Sequence, residues 1–195
     1  MTNPASYTAE INEAAEARRA GFMEAIPADL VRAEDRMPST VAGMNASGRL
    51  RLSRIYQVVD ALSAVREPFV ACRAGCSACC HMNVSLTKLE AERIAQATGR
   101  SLRPVRLPIR HAADAFTGKP CPLLGPESQC TVYEHRPLAC RTHAAYTETN
   151  EWCAPEVMNS VTVPMLEFAG LQEALWVISG RGAQHADIRD FFGMR

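Results

Sequence analysis

The sequence predicts a mostly α-helical protein with a small irregular cysteine-rich metal-binding core and a short β-hairpin. Three observations support this fold class. Apolar residues recur at spacings of three and four in several capped segments, six of the eight cysteines fall between Cys72 and Cys130, and a Gly-Pro-Glu-Ser turn separates two short apolar runs in that region. The 195 residues are enough for one domain with its own hydrophobic core.

Two helices are predicted before the cysteines. Thr8 can cap a helix over residues 8–26, which a proline ends. A second apolar stripe predicts a helix over 49–66, ended by Pro68. The prolines and glycines of the intervening segment, 27–48, predict a loop or hinge with at most a short helix.

Further helices are predicted within and after the cysteine region. Thr87 and Glu90 form the capping-box pattern at the start of a helix over 88–98, and a glycine follows it. The remaining helices are predicted at about 109–117, directly after Pro137, and at about 164–180. The chain is therefore expected to comprise an N-terminal helical arm (1–67), a cysteine-cluster domain (68–145) and a C-terminal helical segment (146–195) that pack as one unit.

Composition limits the classes of function. Lys and Arg number 21, as do Asp and Glu, so the formal net charge is zero and no nucleic-acid partner is expected. Hydrophobic residues make up 47% and charged residues 22%, a balance that excludes a disordered chain. Neither a signal peptide nor a membrane span is expected, which favours a cytoplasmic location where thiols stay reduced.

The first cysteine block, Cys72 to Cys80, has the pattern C-x3-C-x2-C-C. Metal–sulfur bonds near 2.3 Å draw sulfur ligands to within about 4 Å of each other, and loops with two or three intervening residues allow this. Gly75 supplies backbone freedom directly before Cys76. Four cysteines in so short a segment favour metal ligation over disulfides or inert packing.

The second block adds three cysteines. A hairpin around the Gly-Pro-Glu-Ser turn would bring Cys121 and Cys130 side by side, and Cys140 follows on a short helical turn. A lone cysteine is usually a small buried hydrophobe, and Cys153 is interpreted as one. The predicted metal ligands are therefore Cys72, Cys76, Cys79, Cys80, Cys121, Cys130 and Cys140.

These seven thiols suit either zinc or an iron–sulfur cluster, with a 4Fe–4S cluster favoured. The small residues around Cys76 leave backbone N–H groups free to donate to sulfide. Seven ligands exceed one four-ligand site, so one cluster with spectator cysteines and two sites both remain open. Cys79 and Cys80 are expected to face different ways, because adjacent side chains diverge.

Five blocks in order resemble the CxxCxxCC cysteine-cluster family, whose members are proposed to chelate zinc or iron. The resembling segments are Cys72-Arg-Ala-Gly-Cys-Ser-Ala-Cys-Cys-His81, Leu86-Thr-x-x-Glu90, Pro120-Cys-Pro-Leu-Leu124, Cys130-Thr-Val-Tyr-Glu134 and Arg136-Pro-Leu-Ala-Cys-Arg141. The resemblance covers about residues 68–143 and implies a metal site that uses both blocks. One departure is the extra residue between Cys72 and Cys76.

Three functions stay open at this level. The protein is a metalloprotein that acts through an unidentified protein partner, a redox or group-transfer enzyme that uses an iron–sulfur cluster, or a metal-free thiol–disulfide protein built on Cys79 and Cys80. The polar groups expected nearest the site are Tyr133, Glu134, Arg136 and Arg141. No residue is assigned a catalytic role.

Overall fold

The computed structural model describes residues 7–73, 75–158, 160–180 and 182–193. Residues 1–6 of the predicted N-terminal arm, and 194–195 of the C-terminal segment, lie outside this part of the chain. The helices are α1 (Ala9–Ala25), α2 (Ala28–Asp35), α3 (Met37–Gly43), α4 (Gly48–Arg66), α5 (Lys88–Thr98), α6 (Leu138–Thr142), α7 (Ala169–Ser179) and α8 (Ile188–Phe192). Strands β1 (Ser85–Thr87) and β2 (His185–Asp187) complete the regular elements.

The prediction of a mostly α-helical fold is confirmed. The Thr8 side chain accepts a hydrogen bond from the Ile11 N–H and caps α1. Thr87 and Glu90 form the predicted capping box of α5, and Gly99 ends that helix in the left-handed conformation. The predicted hairpin is a turn closed by an antiparallel bridge between Leu124 and Cys130.

Two predictions about helices are wrong. Residues 27–48 contain helices α2 and α3 rather than a loop, because Pro27 and Pro38 stand at the starts of these helices, where a missing N–H costs nothing. Residues 109–117 contain turns and no helix; Ala115 and Thr117 each donate to the carbonyl three residues before. These two hydrogen bonds form isolated turns, because a helix needs a run of consecutive hydrogen bonds to be stable.

The sheet joins segments that are distant in the sequence. β1 and β2 are antiparallel, and Leu86 pairs with Ala186. β1 leads directly into α5 and β2 into α8, so the sheet attaches the C-terminal segment to the cysteine region. Such short strands carry little pattern of their own, and their pairing was not predicted.

The interior consists of two apolar clusters. The first is helical: α1, α3, α4 and α7 contribute to it, and Phe22 at its centre is fully buried against Phe69, Tyr146 and Phe168. The second lies under the cysteine blocks and includes Leu123, Phe191 and Cys121. The cysteine region therefore rests on a core of its own, beside the helical one.

Glu90 is a buried polar junction between α4, α5 and α6. One carboxylate oxygen accepts from the Leu138 N–H at 2.7 Å and from the Tyr56 hydroxyl at 3.1 Å. The other accepts from the N–H and the hydroxyl of Thr87. Four donors thus satisfy a carboxyl group that is 1% exposed, and they tie the Cys140 helix to its neighbours.

Glu90→Gln is expected to lower the free energy of unfolding by about 1–3 kcal/mol. An amide NH2 then faces two of the four donors, which lose their acceptor. Urea unfolding would measure the change. Glu92→Gln is the matched control on the same helix, because Glu92 is half exposed and forms a 3.7 Å ion pair with Lys88 on the surface. Equal stability of both variants would contradict this account of the junction.

Among the described residues, no helix combines the length and apolar character needed to cross a bilayer.

Candidate metal centre

The first cysteine block is a loop that ends in a short 3-10 turn. Gly75 has a φ of +87°, a left-handed conformation that favours glycine, directly before Cys76. The turn spans Ala78–His81 and contains Cys79 and Cys80. Backbone of this kind can aim closely spaced thiols toward one point, as metal ligands with short spacing require.

The second block lies directly against the first. The Cys121 N–H donates to the Cys80 carbonyl at 2.7 Å. The bridge between Leu124 and Cys130 then turns the chain back, so Cys130 returns toward Cys121 as predicted. A charge on Cys130 adds to the raised pKa of the Cys121 thiol, so the two thiols lie within electrostatic reach of each other.

Cys140 joins the two blocks from α6. Burial raises the pKa of its thiol well above the ordinary value, and charges on Cys79, Cys121 and Cys130 raise it further. The Arg136 guanidinium acts in the opposite direction. Cys140 therefore lies within electrostatic reach of both cysteine blocks.

Cys153, interpreted from the sequence as a small buried hydrophobe, is buried but is not isolated from the other thiols. Burial raises its pKa to about 12, and charges on Cys72, Cys76 and Cys79 add to the effect. The Asn150 amide, on the same short turn, donates to the Cys76 sulfur at 3.3 Å. No short spacing in the sequence marks this cysteine, so only its position in the fold reveals these neighbours.

A cavity of about 330 Å³ opens beside the first block. Four cysteines line it: Cys72, Cys76, Cys79 and Cys140. The charged residues of the lining are Arg66, Arg73, Arg136, Arg141 and Glu67. Four guanidinium groups against one carboxylate give the cavity a positive lining in a chain whose formal net charge is zero. Such a lining favours an anionic occupant.

Two of these arginines are fixed by hydrogen bonds. Arg66 is buried and donates to the carbonyls of Arg141 and Thr142, both at 2.7 Å. Arg141 is also buried; it pairs with Asp60 and donates to the carbonyls of Glu134 and Arg136. Their charges are therefore held in place beside the thiols and cannot move away into solvent.

Arg136 is held differently. Its guanidinium stacks on the Tyr133 ring, 3.6 Å from the ring centroid. From this position its positive charge acts to lower the pKa of Cys79, Cys130 and Cys140, although burial outweighs this effect at Cys130 and Cys140. Of the polar groups expected near the site, Tyr133, Arg136 and Arg141 line the cavity, whereas Glu134 contributes its carbonyl to Arg141.

The side chains of Cys79 and Cys80 form a hydrogen bond with each other. A hydrogen bond donated by the Cys80 thiol lowers the pKa of Cys79 to about 7, and the same hydrogen bond raises the pKa of Cys80. Each also has surroundings of its own, because Cys79 lines the cavity and Cys80 packs against the second apolar cluster. The adjacent pair thus stands at the border between the two environments.

All eight cysteines are free thiols. Across the described ranges, no three His, Cys, Asp or Glu side chains are arranged closely enough to hold a metal ion. Metal binding would therefore require these neighbouring thiols to move closer together. The donor set fits zinc or an iron–sulfur cluster, since both take ligand shells composed of cysteine alone.

Histidines contribute less. His143 lines the cavity, and burial lowers the pKa of its imidazole, so it is a neutral group there. A ring nitrogen of His81 lies 3.2 Å from the Ser77 carbonyl. Neither histidine is needed to complete a shell that cysteines can supply.

The structure describes a mostly helical protein with a cysteine-rich region between α4 and α7. Residues 71–156 match the model of the CxxCxxCC family, described as a "putative zinc- or iron-chelating domain". The resemblance seen in the sequence is thereby confirmed, and the matched segment contains all eight cysteines. No curated protein and no solved structure shows significant similarity to the chain.

Proposed function

We propose that this protein is an iron–sulfur protein whose cluster, of the 4Fe–4S type, occupies the cavity beside the first cysteine block. The observation that carries the proposal is the combination of thiols and fixed arginines around one cavity of about 330 Å³. Three of the lining thiols, Cys72, Cys76 and Cys79, would hold the cluster together with a thiolate from a later segment. The cluster would supply electron transfer.

The volume of the cavity favours a cluster over a single zinc ion. Four thiolates on one zinc ion lie within about 4 Å of each other, which leaves no room for a cavity between them. An iron–sulfur cluster places its own iron and sulfide atoms between the thiolates, so the ligands must surround a space. A cavity of about 330 Å³ with four cysteines in its lining offers such a space.

The charges of the lining support the same assignment. A cluster with four thiolate ligands carries net negative charge, and Arg66 and Arg141 are buried at its proposed position with their guanidinium groups fixed. Asp60 pairs with Arg141, whereas the hydrogen bonds of Arg66 go to two carbonyls and the Ser63 hydroxyl, so a bound anion would offset the cost of burying the Arg66 charge. The same arginines would hold the cluster potential higher than in an uncharged site.

Free thiols and an oxygen-sensitive cluster suit a reducing compartment, so the proposed location is the cytoplasm. This chain has equal numbers of acidic and basic residues, so the proposed partner is a protein and not a nucleic acid. The partner would exchange electrons or metal with it.

The experiment is to purify the protein without air, measure iron, zinc and acid-labile sulfide per chain, and record the visible spectrum. Iron with matching sulfide and a broad charge-transfer absorption is the expected result. Zinc without sulfide would contradict the cluster and leave a metal-binding protein. Absence of both metals, with eight titratable thiols, would overturn metal binding altogether.

Cys76→Ser is expected to abolish the cluster iron and sulfide, because the serine oxygen is a poor iron–sulfur ligand. Cys76 is half-buried and its thiol accepts a single hydrogen bond, from Asn150, so the substitution disturbs little else. Ser77→Ala, at the next residue, is the matched control and should keep its full iron content. Unchanged iron in Cys76→Ser would remove this residue from the ligand shell.

One observation favours a second candidate function, a metal-free thiol–disulfide protein. The Cys79 and Cys80 side chains are hydrogen-bonded, and the lowered pKa of Cys79 makes it the readier thiolate. In that case the protein purified without air would contain no metal, and a mild oxidant would remove two thiols per chain. The metal and sulfide measurement therefore separates the two candidates.

A further inference from the structure

A surface groove, which we call the α7 groove, lies between the C-terminal end of α7 and the segment of residues 100–110. It has a volume of about 470 Å³, and its lining includes Trp176 and Val177 from α7 and Pro108 and Arg110 from the segment. Trp176 is 48% exposed and Val177 is 41% exposed, so two large apolar side chains of one groove are open to solvent. Apolar side chains that are exposed together, rather than singly, are typical of sites where another molecule packs.

The segment opposite α7 is held in place although it contains neither a helix nor a strand. The Arg103 N–H donates to the Phe191 carbonyl at 2.8 Å, and the Ile109 N–H donates to the His185 carbonyl at 2.9 Å. These two hydrogen bonds attach residues 100–110 to α8 and β2. A long irregular surface segment that is fixed by the elements beside it is typical of binding loops.

This segment also carries positive charge that its surroundings do not balance. No Asp or Glu occurs between Glu92 and Asp114, whereas five arginines do. Arg106 and Arg110 are exposed, and no carboxylate of the described residues pairs with either guanidinium group. The described lining of the α7 groove likewise contains no Asp or Glu. Because the chain as a whole is neutral, this local excess of positive charge favours an anionic partner here.

Apolar and basic groups together determine which anionic partner fits. Trp176 and Pro108 stand on opposite sides of the groove, and Leu107, next to Pro108 in the chain, is 75% exposed. An apolar side chain of a protein fits between such walls. Trp and Arg, which supply much of the binding energy in protein–protein interfaces, both line the groove. A nucleic acid would be held mainly through its phosphates, for which a chain of zero net charge provides no long-range attraction.

We propose that the α7 groove is the docking site for an acidic segment of a partner protein. An aromatic or aliphatic side chain of that segment packs between Trp176 and Pro108, and carboxylates on either side of it pair with Arg110 and Arg106. The inference goes beyond the proposed function, which leaves the binding surface of the partner open. It does not depend on the metal, because none of the eight cysteines is in the lining of the groove.

The test is selection from a random peptide library displayed on phage, with the full chain purified without air as bait, followed by fluorescence-anisotropy titration of the enriched peptides. These peptides are expected to carry net negative charge and a large apolar residue among the carboxylates. Their affinity should fall about tenfold in Trp176→Ala and about fivefold in Arg110→Glu. Raising sodium chloride from about 50 mM to about 500 mM should also weaken binding, because salt screens the charges.

Val31→Ala and Arg32→Glu on α2 are the matched controls. Val31 is 41% exposed, as Val177 is, and Arg32 is exposed. Glu34 of α2 accepts from the Gly170 N–H at the start of α7, so α2 lies at the end of α7 opposite the groove. Both controls should keep the wild-type affinity within about twofold.

A further variant covers the case in which Trp176→Ala changes the fold, which far-ultraviolet circular dichroism would show. Val177→Glu keeps the tryptophan and places a carboxylate in the groove, where it repels an acidic peptide. It should therefore weaken binding at least as much as Arg110→Glu.

Several results would overturn the inference. These are a library that yields no binder, enriched peptides without net negative charge, and acidic peptides that bind Trp176→Ala and Arg110→Glu as tightly as the wild type. A dimer in light scattering that Trp176→Ala converts to a monomer would show that a second copy of the chain occupies the groove instead. Tighter binding of a single-stranded oligonucleotide than of any enriched peptide would indicate a nucleic-acid partner. The iron and sulfide content is measured separately, so this inference and the proposed function can fail independently.

Discussion

Removal of the bound metal is expected to loosen the cysteine region while the helical core stays folded. The described residues of 70–84 and 118–137 form turns, short 3-10 segments and one antiparallel bridge, so they lack the continuous hydrogen bonding of a helix or a sheet. Metal ligation of thiolates contributes about 10–16 kcal/mol in small zinc domains. Amide hydrogen exchange in these two segments should speed up by about 100-fold or more when a chelator removes the metal.

The helices α1, α4 and α7 provide the internal control for this experiment. They bury the first apolar cluster, in which Phe22, Leu52 and Leu171 are fully buried, and no cysteine thiol is a buried member of it. Their protection should change by less than about threefold on metal removal. Equal loss of protection everywhere would show that the metal stabilises the whole chain, and no change anywhere would contradict a metal that joins the blocks.

Arg189→Met is expected to lower the free energy of unfolding by about 3–5 kcal/mol, the largest effect expected of a single substitution here. Arg189 and its partner Asp187 are buried, and their ion pair has a distance of 2.9 Å. The same guanidinium donates to the carbonyls of Met82, Cys80 and Lys119. Methionine would leave Asp187 as an unpaired buried charge and three carbonyls without their donor.

The position of Arg189 gives this prediction a second readout. The residue lies on α8, outside the matched domain of residues 71–156, yet it donates to the carbonyl of Cys80 in the first block and to that of Lys119, two residues before Cys121. Metal content of Arg189→Met should therefore fall together with stability in urea. Arg106→Met, at an exposed arginine, is the control and should stay within about 0.5 kcal/mol of the wild type. A stable Arg189→Met variant with full metal content would contradict the role of α8.

Local sequence signals predicted those helices whose ends are set by their own residues. The Thr87–Glu90 capping box and Gly99 placed α5 at residues 88–98 because cap and helix are neighbours in the chain. The same kind of signal failed for α2 and α3. Pro27 and Pro38 were interpreted as helix breakers, whereas each stands at a helix start, and only packing of these helices on α4 and α7 decides between the two.

For the candidate site, too, the sequence reveals only relationships between residues that are close together in the chain. Short spacing singled out the first block as candidate ligands, and a turn flanked by apolar runs singled out Cys121 and Cys130, because these features lie within a few residues of one another in the chain. Cys153 has no such feature. Charges of the first block act on it, and the hydrogen bond from Asn150 to the Cys76 sulfur shows that the chain beyond α6 folds back onto that block.

The sequence by itself determined the helical class of the fold and the family of the cysteine domain, since capping, periodicity and cysteine spacing act over a few residues. The tertiary structure decided the pairing of β1 with β2, the clamp formed by Arg189, the cationic cavity and the place of Cys153. Each of these joins residues from distant parts of the chain. Long-range contacts depend on burial and packing of the whole molecule, and no short stretch of sequence encodes them.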